Sequence, residues 1–558
     1  MYIFYDTETS GLEKDFAQIF QIGMAFTDDD MNILATKKIE SRKSPWVVPA
    51  PGAMLTTGFT PDDLKNTKTS SFEMMQEVDQ WVRSQNWPVI FVGYNSIGYD
   101  DDVLAQNLHQ NLLDNEMLWA KSPTSGRRNS RFDVMIAVQA VQAYQPGTLK
   151  LDIMNNAGHP SIKLGNVARQ NGIELSESEA HDGMNDTKAT VAVAKLLKKS
   201  APQIWDQMVK MATLDGASDF LDQTDVFTHT ISVWGNLKSA VTTSVTTREG
   251  SGVTQILFDL SLDPAPYMEM SVDELKQVIL DQSKRPPRGE VAPTDPFRFV
   301  RKTDQPILMP LEMSDPVLPA DFDEKVAKER AAAIKANTDF HQRLGEAAKL
   351  AKEEKNSQYA TPSWTKQPEQ MMYSGPKDGP VKDKLEDWMR EFREAPSWKE
   401  AADLVANFRE RFEEEIKQDP EITRFAKFAG RIVFENAPEE LSVEKQEAVK
   451  RFIAVHILNE DETVPWMTIK KARTELEKIE KDRANPKKDK WEDVTDTQIR
   501  SLKLYYTAIE KEYAPYLEAA QKLKAAKEAA PPANDDKAEA KAPEAPEAKK
   551  PSSGGPKI

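Results

Sequence analysis

The chain has 558 residues, more than one hydrophobic core accommodates, so two to four domains are expected. It contains no cysteine, which excludes disulfide bonds, thiol nucleophiles and cysteine-bound zinc, and leaves oxygen ligands or six histidines for any metal. The net charge of −17 argues against broad non-specific binding of nucleic acid but does not exclude a local basic groove.

The apolar runs and the N-terminal residues predict the cellular location of the protein. No apolar run approaches the ~20 residues of a membrane helix, and the N-terminus shows no basic leader or cleavage site. We therefore expect a cytoplasmic protein that does not bind membranes.

Residues 1–200 alternate short apolar runs with amphipathic stretches. Helices are predicted to begin near Asp100 and at Asp186, the second ending at a pair of lysines that complement its C-terminus. Strands followed by helices predict an α/β domain that carries its site at the edge of the sheet. The predicted strands are residues 2–5, 19–27, 33–40 and 88–92.

The rest of the chain changes character three times. Residues 202–350 contain β-branched runs broken by glycine, which predict a small antiparallel barrel, followed by a helix over 322–353. Residues 355–523 carry apolar residues three or four apart between charges, as in a helical domain. Residues 524–558 are Ala, Pro, Glu and Lys, which predicts a disordered tail.

Four acidic residues and one histidine stand out by their context. Asp6 and Glu8 end the first predicted strand, and residues two apart on a strand point to the same side. Asp100 follows a second buried strand, while His181 and Asp186 lie five apart at the start of a helix. Clustered carboxylates repel one another unless cations neutralise them.

These parts suit phosphodiester hydrolysis by two Mg²⁺ ions, with the histidine taking a proton from the attacking water. Each also has a plainer interpretation: an acidic strand end for Asp6 and Glu8, a helix N-terminal acid for Asp100 and Asp186, and an ordinary core or surface histidine for His181. Their joint order favours the catalytic interpretation.

The motifs that contain these residues resemble those of the DEDDh (DnaQ-like) exonucleases. Asp-x-Glu, Asn-x-x-x-Tyr-Asp and His-x-x-x-x-Asp occur in that order. Their surroundings are similar to bacterial exonuclease I, strongly over 1–200, moderately over 202–350 and weakly over 355–523. The local matches are residues 51–61, 93–101, 130–133, 163–174 and 180–186.

The resemblance implies a ribonuclease H-like exonuclease domain, then an SH3-like domain and a helical C-terminal domain. It implies 3'→5' hydrolysis of single-stranded DNA to nucleoside 5'-monophosphates in DNA repair and recombination. Asp6, Glu8 and Asp186 would ligate two Mg²⁺ ions, for which Mn²⁺ would substitute. Asp100 would support the second ion and His181 would be the general base.

The resemblance also implies partners and a DNA path. We expect a monomer that binds single-stranded DNA and the acidic C-terminal tail of single-stranded DNA-binding protein. Ala105 and Gln139 are neutral where the family has basic residues, so a basic groove would be built from others, such as Arg127, Arg128 and Arg131. An exposed loop is the alternative interpretation of the Arg127–Arg128 pair. The residues predicted to contact the substrate are Glu8, Thr9, Ser10, Gly11, Lys163 and Arg131.

Two other functions remain open at this point. The same active site could degrade RNA, because discrimination of the 2'-hydroxyl cannot be seen in a sequence. A nuclease-like scaffold could bind DNA ends, or single-stranded DNA-binding protein, without cutting. A missing ligand would favour the scaffold, and all five residues are present.

Overall fold

The structure is a computed structural model that describes residues 1–85, 87–122, 125–174, 182–233, 235–284, 294–358, 379–485 and 491–529. The candidate base His181 lies outside these ranges, and so does the predicted tail from residue 530 onward.

The first part of the chain forms a five-stranded mixed sheet with helices on both faces. The strand order is β3-β2-β1-β4-β5, in which β1 is antiparallel to β2 and parallel to β4. In chain order the elements are β1 (Tyr2–Thr9), β2 (Ile19–Thr27), β3 (Ile33–Glu40), α1 (Pro51–Thr57), α2 (Pro61–Asn66), α3 (Ser71–Arg83), β4 (Ile90–Gly93), α4 (Asp100–Gln110), β5 (Ser130–Asp133), α5 (Val134–Tyr144), α6 (Leu164–Gln170), α7 (Gly183–Ser200), α8 (Pro202–Met211) and α9 (Leu214–Gln223).

The central strand β1 is apolar on both faces because each face meets a different layer of helices. Phe4 belongs to the core beneath α5, α7 and α8. Tyr5 belongs to the core beneath α3 and α4. Alternation along the strand therefore directs Asp6 and Glu8 toward the α7 layer, and Thr7 toward the α4 layer.

A second sheet follows, and it is antiparallel throughout in the order β10-β6-β7-β8-β9. Helices α11, α12 and α13 cover one face. Two residues of β10, Ile307 and Met309, reach the core of the first part, so the two sheets share apolar contacts. The elements are β6 (Phe227–Val233), β7 (Asn236–Thr247), β8 (Thr254–Asp259), α10 (Ala265–Met268), α11 (Val272–Gln282), β9 (Phe297–Arg301), β10 (Ile307–Pro310), α12 (Glu324–Ala336) and α13 (Thr338–Gln358).

The remaining described residues are helical and pack against the first part through two apolar clusters. Tyr506 donates a hydrogen bond to the carbonyl of Pro49 at 2.9 Å, and the backbone N–H of Gly52 donates to Glu475 at 2.9 Å. The helices are α14 (Pro380–Arg393), α15 (Trp398–Ala406), α16 (Phe408–Arg411), α17 (Glu413–Gln418), α18 (Thr423–Asn436), α19 (Val443–Ile457), α20 (Ile469–Arg483) and α21 (Asp496–Ala529).

The predicted order of an α/β part, a small β-containing part and a helical part is confirmed; the limits of the three as domains stay predictions. The single helix predicted over 322–353 is two helices, because Asn337 ends α12 and its side chain accepts from the N–H of Phe340 to begin α13. Helix α21 continues to Ala529, into the start of the predicted tail.

Among the described residues, no helix is long and apolar enough to cross a membrane.

Candidate active site

The end of β1 places two carboxylates side by side. Asp6 and Glu8 lie on the face of β1 that meets α7, and Asp186 lies in the first turn of that helix. One carboxylate oxygen from each of the three lies within 4.8 Å of the other two. We call Asp6, Glu8 and Asp186 the acidic cluster. Within the described ranges, it is the one group of three acidic or histidine side chains close enough to share a metal ion.

Two glycines bring α7 close enough for Asp186 to join the cluster. Gly23 is paired with Asp6 across the sheet, and a Cβ on Gly23 would lie 2.4 Å from the carbonyl of Gly183. The N–H of Gly183 donates to Gln21 at 2.6 Å, and Thr187 Oγ1 donates to the carbonyl of Gly23 at 3.0 Å. The helix N-terminus therefore rests directly on β2, beside Asp6.

Helix α7 begins three residues before the predicted Asp186. Its N-cap is Asp182, which accepts from the N–H groups of Met184 and Asn185 and pairs with Lys38. Burial acts to raise the pKa of Asp182, but the hydrogen bond and charge of Lys38 outweigh it and lower that pKa. Asp186 is thus free of the capping role and belongs to the first turn, where its carboxylate meets β1.

Asp100 approaches from the other side of β1. It is the first residue of α4, it is buried, and its Oδ1 accepts a hydrogen bond from Thr7 Oγ1. The residue before it, Tyr99, occupies the N-cap position, so the structure does not support a simple capping role for Asp100. Asp100 lies outside the acidic cluster but close enough to repel Asp6.

Burial and mutual repulsion disfavour the charged forms of Asp6, Glu8 and Asp100. Burial, then repulsion from Asp100 and Glu8, holds the pKa of Asp6 well above its ordinary value. Burial, then repulsion from Asp186, raises the pKa of Glu8 to about 8. Burial raises the pKa of Asp100 to about 7, against the hydrogen bond from Thr7. A bound cation would relieve this cost, and hard oxygen ligands fit Mg²⁺ or Mn²⁺.

The segment after Glu8 is held tightly against the first sheet. Thr9 Oγ1 donates to the carbonyl of Gly11 at 3.1 Å, and Ser10 Oγ accepts from the N–H of Gln18 at 2.9 Å. The Tyr99 hydroxyl contacts Thr9 Oγ1 at 2.6 Å and donates to the carbonyl of Gly11. Leu12, the next residue, is 86% exposed. The predicted contact residues 9–11 thus form a fixed rim beside the acidic cluster.

A small cavity of about 100 Å³ lies along that rim, between the first part and the C-terminal helices. Ser10 and Gly11 line one side of it. Phe452, His456 and Trp466 line the other, with the His456 ring stacked on Trp466 at 4.5 Å.

A larger groove of about 810 Å³ runs between the two sheets. The predicted Lys163 is exposed in its wall, and Arg301 and Phe299 face it from the second sheet. Gln139 also lines this large groove. Ala105, in contrast, is buried on α4, so its side chain contributes to packing and not to the charge of the groove.

Arg131 does not lie with the other predicted contact residues. It is 7% exposed, and its guanidinium binds Asp101 at 2.8 Å and lies over the Trp119 ring at 4.9 Å. This placement does not support the predicted direct contact with substrate. Arg127 and Arg128 are exposed, and Arg128 donates to the carbonyl of Trp119 at 3.2 Å.

Sequence reasoning missed the residues that position the acids: Tyr5, Thr7, Gln21, Gly23 and Gly183. Gly23 carried a usable signal, because glycine in the interior of a predicted strand indicates close approach of another backbone. The others carried none that a single sequence displays.

Comparisons with known proteins agree with this geometry. Residues 3–194 match the RNase T family model, described as "Exonuclease". Exodeoxyribonuclease I of Buchnera aphidicola subsp. Schizaphis graminum is 29% identical over 211 residues, 38% of this chain and 42% of that protein. Exodeoxyribonuclease I of Escherichia coli K12 is 26% identical over 282 residues, 50% of this chain and 57% of that protein. The chain thus spans about half the length of these curated relatives.

Solved structures resemble the whole described fold. Exonuclease I from Methylocaldum szegediense has a TM-score of 0.70 at 21% identity, and E. coli exonuclease I with a dA16 oligonucleotide has 0.68 at 18%. An exonuclease I/SSB-Ct complex has 0.67 at 18%. Each alignment covers 91% of this chain and 99% of the other. The resemblance to the DEDDh exonucleases, and within them to exonuclease I, is confirmed.

Proposed function

We propose that this protein is a 3'→5' exonuclease that hydrolyses single-stranded DNA to nucleoside 5'-monophosphates. The observation that carries the proposal is the acidic cluster at the end of β1, within a segment that matches an exonuclease family. The choice of DNA follows the exodeoxyribonuclease I relatives, and the 3'→5' direction is what the resemblance of the motifs implies.

The acidic cluster would hold divalent ions, and Asp100 would support them from the opposite face of β1. When bound, two Mg²⁺ ions, or Mn²⁺ in their place, neutralise charge on the phosphate and make water a stronger nucleophile. His181 would accept the proton of the attacking water. The next residue, Asp182, is held by its capping bonds to α7 and by its ion pair with Lys38.

The substrate would lie along the rim and the large groove. Lys163 and Arg301 supply positive charge near phosphates, and Phe299, which is 39% exposed, offers a ring on which a base can stack. The net charge of −17 is compatible with this path because the positive groups are local. A similar structure binds a dA16 oligonucleotide, which supports a single strand as substrate.

We also propose that the protein binds the acidic C-terminal tail of single-stranded DNA-binding protein and acts as a monomer in DNA repair and recombination. The similar structure of an exonuclease I/SSB-Ct complex supports the first of these. Binding to such a partner would bring the enzyme to coated single strands.

The test uses purified protein, Mg²⁺ and 5'-labelled oligonucleotides: single-stranded DNA, duplex DNA and single-stranded RNA, each with and without EDTA. We expect a ladder that shortens from the 3' end on single-stranded DNA alone and disappears in EDTA. Asp186→Asn, which keeps the side-chain shape, should abolish the ladder, and Asp62→Asn, on the exposed face of α2, should not.

Preferential degradation of RNA would replace this function with a ribonuclease on the same fold. Binding without cleavage of any substrate would replace it with the scaffold.

A further inference from the structure

Arg131 joins three parts of the molecule from a buried position on β5. Its Nη1 donates to Asp101 of α4 at 2.8 Å, and its Nη2 donates to the carbonyl of Thr303 at 3.0 Å and to Asp304 at 3.3 Å. Thr303 and Asp304 belong to the loop 302–306, which connects β9 and β10 of the second sheet. One guanidinium therefore links the helix that begins at Asp100 to the second sheet.

The helix end of this link is fixed to the catalytic strand. Asp101 is 1% exposed, and its second oxygen accepts a hydrogen bond from the Tyr5 hydroxyl. Asp100 accepts from Thr7, two residues further along β1. The start of α4 is thus bonded to β1 on both sides of Asp6.

The loop 302–306 is anchored in the interior through a buried side chain. Gln305 is fully buried with a left-handed φ of +49°, and its side-chain oxygen accepts from the N–H of Asp133, two residues after Arg131. Asp133 in turn accepts from the N–H of Asn95 at 2.8 Å, at the end of β4. A left-handed glutamine is uncommon, so its contacts hold the loop in this shape.

We propose that Arg131 is a positioning residue through which the second sheet sets the placement of Asp100 and the occupancy of the metal centre. A planar guanidinium can bind Asp101 and the loop 302–306 together, whereas a lysine ammonium can satisfy one side at a time. Without Arg131, Asp101 becomes an unpaired buried carboxylate beside Asp100, and the start of α4 must shift to hydrate it. The effect of Arg131 on catalysis rests on the proposed function, whereas its effect on metal binding can be measured independently of catalysis.

The experiment measures Mn²⁺ binding by electron paramagnetic resonance, alongside kcat and KM for a single-stranded oligonucleotide. Outer partners of metal ligands typically change metal affinity by about 10–100-fold, so Arg131→Lys should raise the half-saturating Mn²⁺ concentration by about tenfold or more. KM for the oligonucleotide should change by less than about threefold, because Arg131 is buried and its own side chain does not line the large groove.

Two further variants keep the test decisive. Asp304→Ala removes one of the two hydrogen bonds at the loop end of the link and leaves the bond to the carbonyl of Thr303. Its side chain is 34% exposed, so this variant should fold even if Arg131→Lys does not, and it should weaken Mn²⁺ binding by about threefold. Arg298→Lys is the matched control, because Arg298 pairs with buried Asp259 at 3.5 Å inside the second sheet. It should leave Mn²⁺ binding unchanged.

Unchanged Mn²⁺ binding in folded Arg131→Lys and Asp304→Ala would overturn the proposal. A rise in KM for DNA with unchanged Mn²⁺ binding would also overturn it, in favour of direct contact between Arg131 and substrate. If the wild type binds Mn²⁺ but cleaves no nucleic acid, the proposed function fails while the shift in Arg131→Lys still supports the link.

Discussion

Glu8 offers the most direct test of the electrostatics, because Glu8→Gln removes one carboxylate from the acidic cluster and keeps its shape. Burial, followed by repulsion from Asp186 and Asp100, raises the pKa of Glu8 from 4.5 to about 8. Between these pH values the folded protein holds a proton that the unfolded chain has released. Rising pH therefore destabilises the metal-free fold through this window, and the loss is complete above about pH 8.

The size of the effect follows from the same two pKa values. Each pH unit between them corresponds to about 1.4 kcal/mol, which gives an upper limit on the order of 5 kcal/mol. Local relaxation and water penetration reduce the repulsion below this limit, so we expect Glu8→Gln to raise the free energy of unfolding by about 1–3 kcal/mol at pH 9 in EDTA. Near pH 4.5, where wild-type Glu8 is protonated in the folded state, the change should be close to zero.

Calorimetric melting of the wild type and Glu8→Gln at both pH values checks this expectation. Glu13→Gln, at an exposed position five residues away and outside the acidic cluster, is the matched control. Saturating Mg²⁺ at pH 9 should reverse the order, since a ligand at a hundred times its Kd stabilises by about 2.7 kcal/mol and the variant binds it less well. A gain of equal size at both pH values, or a loss at pH 9, would refute the repulsion argument.

Four other substitutions test the rest of the site by steady-state hydrolysis of a labelled oligonucleotide. Asp6→Ala should lower kcat at least about a thousandfold, and retained hydrolysis would remove Asp6 from the metal centre. His181→Ala should lower kcat by about 10²–10⁴-fold, and an unchanged rate would exclude it as the base. Gly23→Ala places a methyl group against Gly183, so it should cost about 1–3 kcal/mol and, by displacing α7, about a hundredfold in kcat; normal activity would contradict that contact. Lys163→Ala should raise KM several-fold and leave kcat unchanged. The slope of log affinity against log salt concentration should fall by about one, the value for one lost phosphate contact, and an unchanged KM would place the DNA elsewhere.

The proximity of Asp6, Glu8 and Asp186 could be predicted because their positions depend on local patterns, whereas their catalytic roles stay predictions. Asp6 and Glu8 end an apolar run, and a two-residue spacing on a strand fixes their common side whatever surrounds them. Asp186 was placed at a helix start, although α7 begins at Gly183 with Asp182 as its cap. Periodicity detects the apolar face of a helix, whereas its first residue depends on which side chain captures the free N–H groups.

What brings those acids together was not predictable in the same way. The approach of Gly183 to Gly23 joins residues far apart in the chain, and only the interior glycine of β2 signalled it. The bond between Thr7 and Asp100 is also long-range, and threonine in a strand is too common to indicate a partner. A sequence pattern can therefore identify candidate metal ligands without identifying the residues that position them.

Arg131 shows why a basic residue inside a motif is ambiguous until its neighbours are known. An arginine near an acidic active site can bind substrate phosphate or compensate a buried carboxylate, and both roles use the same fork of donors. The deciding fact is Asp101, which is buried, adjacent to Asp100, and paired with Arg131 at 2.8 Å. Because Arg131 is paired with Asp101, we propose that exposed residues such as Lys163 supply positive charge to the substrate, and that Arg131 connects the acidic cluster to the loop 302–306. The two roles predict different effects: substitution of Arg131 should weaken metal binding, whereas substitution of Lys163 should raise KM. Measuring metal affinity and KM for both variants therefore separates a residue that positions the site from one that contacts the substrate.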